Sequence, residues 1–178
     1  MNELVQINAS GYMPSSVNAE RSILGAILLN NSAFHEAAGR LGAADLTLDA
    51  HRRIFARMQA LAEDSKPIDM VTLTEELSRT KELERVGDVV YLASLVEGLP
   101  DRSSIAHYID IVKDHAQRRS LLLTCKLAIE RIVNGDLTKD VAAGMLDAVL
   151  EVETQTGRNK GIEPREFMSE LLRELETQ

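Results

Sequence analysis

Apolar residues recur along the chain at three- and four-residue steps, and turn-forming clusters cut that pattern into segments. Ile23, Ala26 and Ile27 form one stripe, with Leu24, Gly25 and Leu28 beside it. A face this broad predicts a helix over about 17–30, buried on most sides. Ser16 stands as its N-cap, and Glu20 falls early enough to favour the positive end of the helix dipole. Gly25 in mid-helix costs ~1 kcal/mol against Ala, an expense that a second helix packed on its bare backbone would offset. Asn30-Asn31-Ser32 reads as a turn, with Ser32 capping a short helix through Phe34, Ala37 and Leu41 to Gly42. After a connector at 44–47, Ile54, Phe55, Met58 and Leu61 predict a helix over about 49–64, which Pro67 stops. Asp69 opens the next helix, with Thr72-x-x-Glu75 as an alternative capping box. Its core face is Val71, Leu73 and Leu77. Gly87 punctuates, and a fifth helix over about 88–97 turns Val89, Leu92, Ala93 and Val96 inward.

A different pattern begins after Pro100. From a cap at Ser103 or Ser104, one long helix runs to Asn134-Gly135, and a second, capped by Thr138, follows to about 155. The short connection makes the two antiparallel neighbours. Ile105, Ile109, Val112, Ala116, Leu123 and Leu127 make one seam on the long helix; Val141, Met145, Ala148 and Val152 make one on the return helix. A hairpin of two helices buries only one seam. Ile111, Leu122, Ile129 and Ile132 lie off it, as do Leu146, Val149 and Leu150. Unless the preceding helices cover them, these side chains are candidate pairing residues for a second copy of the chain. Past a linker at Asn159-Lys160-Gly161, Pro164 opens a last amphipathic helix to about 177, with Phe167, Leu171, Leu172 and Leu175 on a narrow stripe. The expected architecture is all-α. A loose tail spans 1–13, a five-helix head 14–100, a helical hairpin 101–157 and a linker helix 158–178.

Composition narrows the function. Of 178 residues only 3% are aromatic and none is Trp, which suits helices over sheets. The net charge of −8 argues against broad contact with a phosphate backbone and for a protein-binding module. No apolar run is long enough to span a membrane and no secretory pattern opens the chain, so a cytoplasmic location is expected. The single cysteine, Cys125, lies in an apolar helical pattern and is expected to be a buried thiol. His107 and His115, with Asp110, Asp114 and Glu36, lack metal-ligand spacing, and a metal-dependent hydrolase is disfavoured. No Gly-x-x-x-x-Gly-Lys-Ser/Thr occurs, so there is no phosphate cradle for a nucleotide. Arg52-Arg53 and Arg118-Arg119 are the available nucleic-acid contacts, without interleaved aromatics.

Several short motifs recur in a telling order. They begin with Pro14, Ala19-Glu20 and Leu24-Gly25-Ala26-x-Leu28. Asp45-Leu46, His51-Arg52-x-Ile54-Phe55 and Leu61 follow, then Lys66-Pro67-Ile68-Asp69-x-Val71-Thr72-Leu73, Leu77, Leu83 and Gly87. Tyr91-Leu92, Leu95, Pro100, Tyr108, Ile111-Val112 and Arg119 complete the series. In order and spacing, across about 13–178, this resembles the N-terminal domain of the DnaB-type replicative DNA helicases. Two positions depart from that family: an aromatic often stands where Leu46 is, and a second Gly often follows Gly87, where this chain has Asp88.

The resemblance implies that hairpins pair, that three pairs form a collar on a hexameric ring, and that the collar recruits primase while a loader also engages the helicase. It implies that the helix after the hairpin docks on a neighbour's ATPase domain, making Phe167, Leu171, Leu172 and Leu175 its docking stripe. ATP and Mg²⁺ belong to that ATPase, so no catalytic, cofactor or metal residue is expected in this chain, and little direct DNA binding. The alternative is a freestanding helical adaptor that binds a helicase or its loader.

Overall fold

The computed structural model describes residues 13–97 and 105–156. All regular structure among them is helical. The elements are α1 (Val17–Leu29), α2 (Ser32–Ala38), α3 (Asp49–Glu63), α4 (Met70–Arg79), α5 (Asp88–Val96), α6 (Ile105–Val133) and α7 (Thr138–Thr156), with 3₁₀ turns at Ala43–Asp45 and Glu84–Val86. The expected cap at Ser103 or Ser104, and the tail up to Tyr12, lie outside the described residues. The chain divides into two compact units after Arg119, not at Pro100. The reason is that Ile105, Ile109 and Val112, on the first half of α6, are buried with the core of the head.

In the first unit, Ile23, Leu24 and Ile27 of α1 pack with Ile54, Phe55, Met58 and Leu61 of α3, Leu73 and Leu77 of α4, and Leu92 and Leu95 of α5. Gly25 is buried in mid-helix. The starts and stops follow local chemistry. Asp69 caps α4: its Oδ1 accepts from the N–H groups of Val71 and Thr72, both at 2.9 Å, and its own N–H donates to Thr72 Oγ1 at 3.0 Å. The capping box is therefore Asp69-x-x-Thr72, one turn before the Thr72-x-x-Glu75 alternative. With the helix starting there, Leu73 and Leu77 define the inner face, and Val71 points away from it at 77% exposure. Asn30, not Ser32, opens α2: its Oδ1 accepts from Ser32 N–H at 3.0 Å and Ser32 Oγ at 2.9 Å. In α5 the inner pair is Leu92 and Leu95, while Val89, in the first turn, stays exposed.

The head is tied together by buried polar groups as much as by apolar ones. Glu20 does not serve the helix dipole at the surface. It turns into the core, 1% exposed. There its carboxylate accepts from Thr47 N–H at 2.7 Å and lies 2.6 Å from Nδ1 of His51, which is itself fully buried on α3. The other ring nitrogen of His51 is 2.7 Å from the Tyr91 hydroxyl on α5. Arg119 closes a second clasp. Its guanidinium donates to the carbonyl of Pro14 at 2.7 Å, to Thr47 Oγ1 at 2.9 Å and to the carbonyl of Asp45. Burial lowers the Arg119 pKa from its ordinary value.

The turn into α5 departs from the usual use of glycine. Gly87 has φ +95°, and a Cβ there would meet Tyr91 Cβ at 2.9 Å. Asp88 follows in the same left-handed region, φ +64°. Left-handed backbone costs an L-residue energy that glycine avoids. Asp88→Gly is therefore expected to stabilise the chain by about 0.5–1 kcal/mol, raising Tm by ~1–4 °C for a domain of this size. Gly87→Ala is expected to lower Tm. Thermal unfolding followed by circular dichroism checks both.

Candidate interaction surface on the helical hairpin

The second unit consists of the outer half of α6, from Ser120, and α7. The turn between them is a Schellman cap: Gly135 takes φ +87°, and Asp136 N–H donates to the Arg131 carbonyl at 3.0 Å. Arg131 Nε also reaches Asp136 Oδ2 at 2.7 Å, which holds the turn from the side.

The two helices face each other across a mixed set of side chains. Thr124, Leu127, Ala128 and Arg131 of α6 and Val141, Gly144, Met145 and Ala148 of α7 line a shallow open groove. Only Ala128, at 4% exposure, and Val141, at 3%, are buried hydrophobics in this unit among the described residues. Eleven larger apolar side chains are exposed: Leu122, Leu123, Leu127, Ile129, Ile132 and Val133 on α6, Leu137 in the turn, and Met145, Leu146, Val149 and Leu150 on α7. Burying one such side chain contributes about 1.5–3 kcal/mol. This pair of helices thus leaves most of its apolar free energy unrealised.

Six of the seven residues assigned from periodicity to a pairing face lie on this exposed surface: Leu122, Ile129, Ile132, Leu146, Val149 and Leu150. Ile111 does not. It sits in the first unit, partly buried against the core of the head. Leu123 and Leu127, placed by sequence on the internal seam, are 48% and 58% exposed. Ala128, one position on from Leu127, takes the buried position on this half of α6. Cys125 is exposed on the same half of α6, not buried. The stripe Phe167, Leu171, Leu172 and Leu175 lies outside the described residues.

Other candidate groups do not converge. Asp110 pairs with Arg40, Asp114 with Arg118 at 2.8 Å, and no group of three His, Cys, Asp or Glu able to hold a metal ion occurs among the described residues. The four arginines considered for nucleic acid are engaged within the chain. Arg52 donates to the Thr47 carbonyl at 3.0 Å, Arg53 pairs with Asp49 and Glu82 at 2.7 Å each, and Arg118 and Arg119 are held as described. No helix of the described residues is long and apolar enough to cross a membrane.

Comparison with known proteins places this geometry in context. The family model for the DnaB-like helicase N terminal domain matches residues 12–114, more than half of the chain. The replicative DNA helicase DnaB of Treponema pallidum is 35% identical over 131 residues, covering 74% of this chain and 29% of that protein. The crystal structure of the N-terminal domain of DnaB helicase from Mycobacterium tuberculosis superposes with a TM-score of 0.70 at 29% identity, covering 80% of this chain and 99% of that one. A DnaB-like replicative helicase whose structure was described with its interactions with primase shares the fold, with a TM-score of 0.57 at 19% identity over 90% of this chain and 34% of that one. The chain spans less than a third of the length of the curated relatives it matches.

The surface yields a contrast between neighbouring positions. Val141→Asp puts a charge in place of one of the two buried hydrophobic side chains among the described residues of this unit, a cost of about 1–3 kcal/mol. It is expected to reduce the far-ultraviolet helical signal at neutral pH. Leu146→Asp, five residues on and exposed in the single chain, is expected to reduce that signal less. Circular dichroism of the two variants side by side checks the difference.

Proposed function

The chain belongs to the family of DnaB-like helicase N-terminal domains, and from that premise we propose that it is the assembly and recruitment module of a replicative hexameric DNA helicase. The observation that carries the proposal is the hairpin's unpaired apolar surface, which a second hairpin of the same kind would cover. Leu122, Ile129 and Ile132 of α6 and Leu146, Val149 and Leu150 of α7 are its pairing residues. Two hairpins then share one four-helix arrangement, and three such pairs make a collar. Primase docks on that collar, a reading supported by the related helicase described with its interactions with primase. A helicase loader is the second partner. The stripe Phe167, Leu171, Leu172 and Leu175 is the docking element for a neighbour's ATPase domain.

The module does mechanical work in the cytoplasm and no chemistry of its own. ATP and Mg²⁺ act in the part of the helicase that carries the phosphate-binding loop, a motif this sequence lacks. Specific DNA contact is not its task, given the net charge of −8 and the internally engaged arginines.

Light scattering tests the reading. The unaltered chain is expected to show at least twice its single-chain mass. The double variant Leu122→Asp with Leu150→Asp is expected to fall to the single-chain mass with its helical content retained. A single-chain mass for the unaltered protein, or an unchanged mass for the variant, would overturn the proposal.

A further inference from the structure

The segment from Gly42 to Leu48 is held in an unusual way. Among its residues only Leu46 is a buried hydrophobic, at 2% exposure. The rest of its anchorage comes from charged side chains on other elements. Glu20 of α1 accepts from Thr47 N–H at 2.7 Å and lies 3.5 Å from Leu48 N. Arg119 of α6 donates to Thr47 Oγ1 and to the Asp45 carbonyl, and Lys113 Nζ is 3.1 Å from Asp45 Oδ2. We propose that Glu20 is an acid-sensitive latch, whose protonation releases the Thr47–Leu48 backbone leading into α3 while the apolar core, Leu46 included, remains folded.

The geometry explains why this carboxyl and no other acts as the latch. All three groups that approach Glu20 are donors or donor-capable: Thr47 N–H, Leu48 N–H and His51 Nδ1. With a proton on His51 Nδ1, a protonated carboxyl in the same place turns one oxygen into a donor facing donors. The ionisable groups around it are His51 and Arg52 on α3, Tyr91 on α5, Arg119 on α6 and Asp45 on the 3₁₀ turn. Asp45, the other carboxyl, is 19% exposed and paired with Lys113.

The direction of the effect follows from the balance at Glu20. Burial pushes its carboxyl up, but the hydrogen bonds from His51 and then from Thr47 together hold it below the ordinary value of 4.5. A carboxyl lowered in the folded state stabilises the closed latch above that ordinary value. The contribution is lost as pH falls below it toward the folded-state value.

Amide hydrogen exchange on the full chain, corrected for intrinsic rates, reads this directly. Protection of Thr47 and Leu48 is expected to be flat above about pH 5 and to fall by about tenfold per pH unit below pH ~4.5, while Ile54, Phe55 and Leu73 keep theirs. In Glu20→Gln, Thr47 and Leu48 are expected to be unprotected already at neutral pH, without that acid dependence. Arg119→Gln serves if Glu20→Gln does not fold. It is expected to lower protection across 43–48 at neutral pH yet keep the acid dependence, since Glu20 is untouched. The proposal fails if Thr47 and Leu48 lose protection only in step with Ile54 and Leu73. It also fails if Glu20→Gln keeps the parent protection, or if Arg119→Gln leaves 43–48 as protected as before.

Discussion

Two packed helices can bury one seam between them, and no more. In the α6–α7 hairpin that seam is narrow, because Ala128 and Val141 are its buried hydrophobics and Gly144 and Ala148 line the groove beside them. Eleven larger apolar side chains of the described outer half of α6, the turn and α7 are exposed. Leu122, Ile129 and Ile132 on one helix and Leu146, Val149 and Leu150 on the other are large, branched and exposed. Isolated helices of this length are marginal in water, and most of their stability comes from packing an apolar face. The hairpin's exposed apolar surplus is what the proposed partner would cover. The functional reading rests on that constraint.

The head meets a different problem, which is how to keep short helices in register with few aromatics. Its answer is a set of buried polar contacts that reach far along the sequence. Glu20 joins α1 to the start of α3, His51 passes the contact to Tyr91 on α5, and Arg119 ties α6 to the segments that precede α1 and α3. Breaking one partner of such a contact leaves the others unsatisfied, which is costlier than losing an equal apolar contact. Pro14, Glu20, Asp45, His51, Tyr91 and Arg119 all belong to the motif series on which the sequence resemblance rests, and in space Thr47 joins them into one connected lattice. What looks in one dimension like scattered signature residues is a structural frame.

The helices themselves are legible because their core faces repeat at helical spacing. α1, α3 and α5 fall within a residue or two of the spans read from the pattern. The pattern misleads where hydrophobicity alone chooses a face. Val71 lies two positions from Leu73 and so points outward, and Val89 is apolar but sits in the first turn of α5. Leu123 and Leu127 read as internal because they are large and apolar, when the buried position on that half of α6 is Ala128. Pro100 reads as a unit boundary because proline ends helices. Periodicity gives no sign that Ile105, Ile109 and Val112 complete the head's core from the far side of that break. The Glu20–His51–Tyr91 chain spans 31 and then 40 positions, beyond any local pattern. The exposed pairing face is legible as a surplus, because counting apolar positions needs no tertiary information.

The central claim is that the hairpin's outward face is covered by the same face of a second chain. Isotope-filtered nuclear Overhauser spectroscopy on a mixture of methyl-labelled and unlabelled chains tests it most directly. The account expects intermolecular contacts to the methyl groups of Leu122, Ile129, Leu146 and Leu150. Intermolecular contacts confined to head methyls such as Val71 and Val90, or none at any concentration, would contradict it.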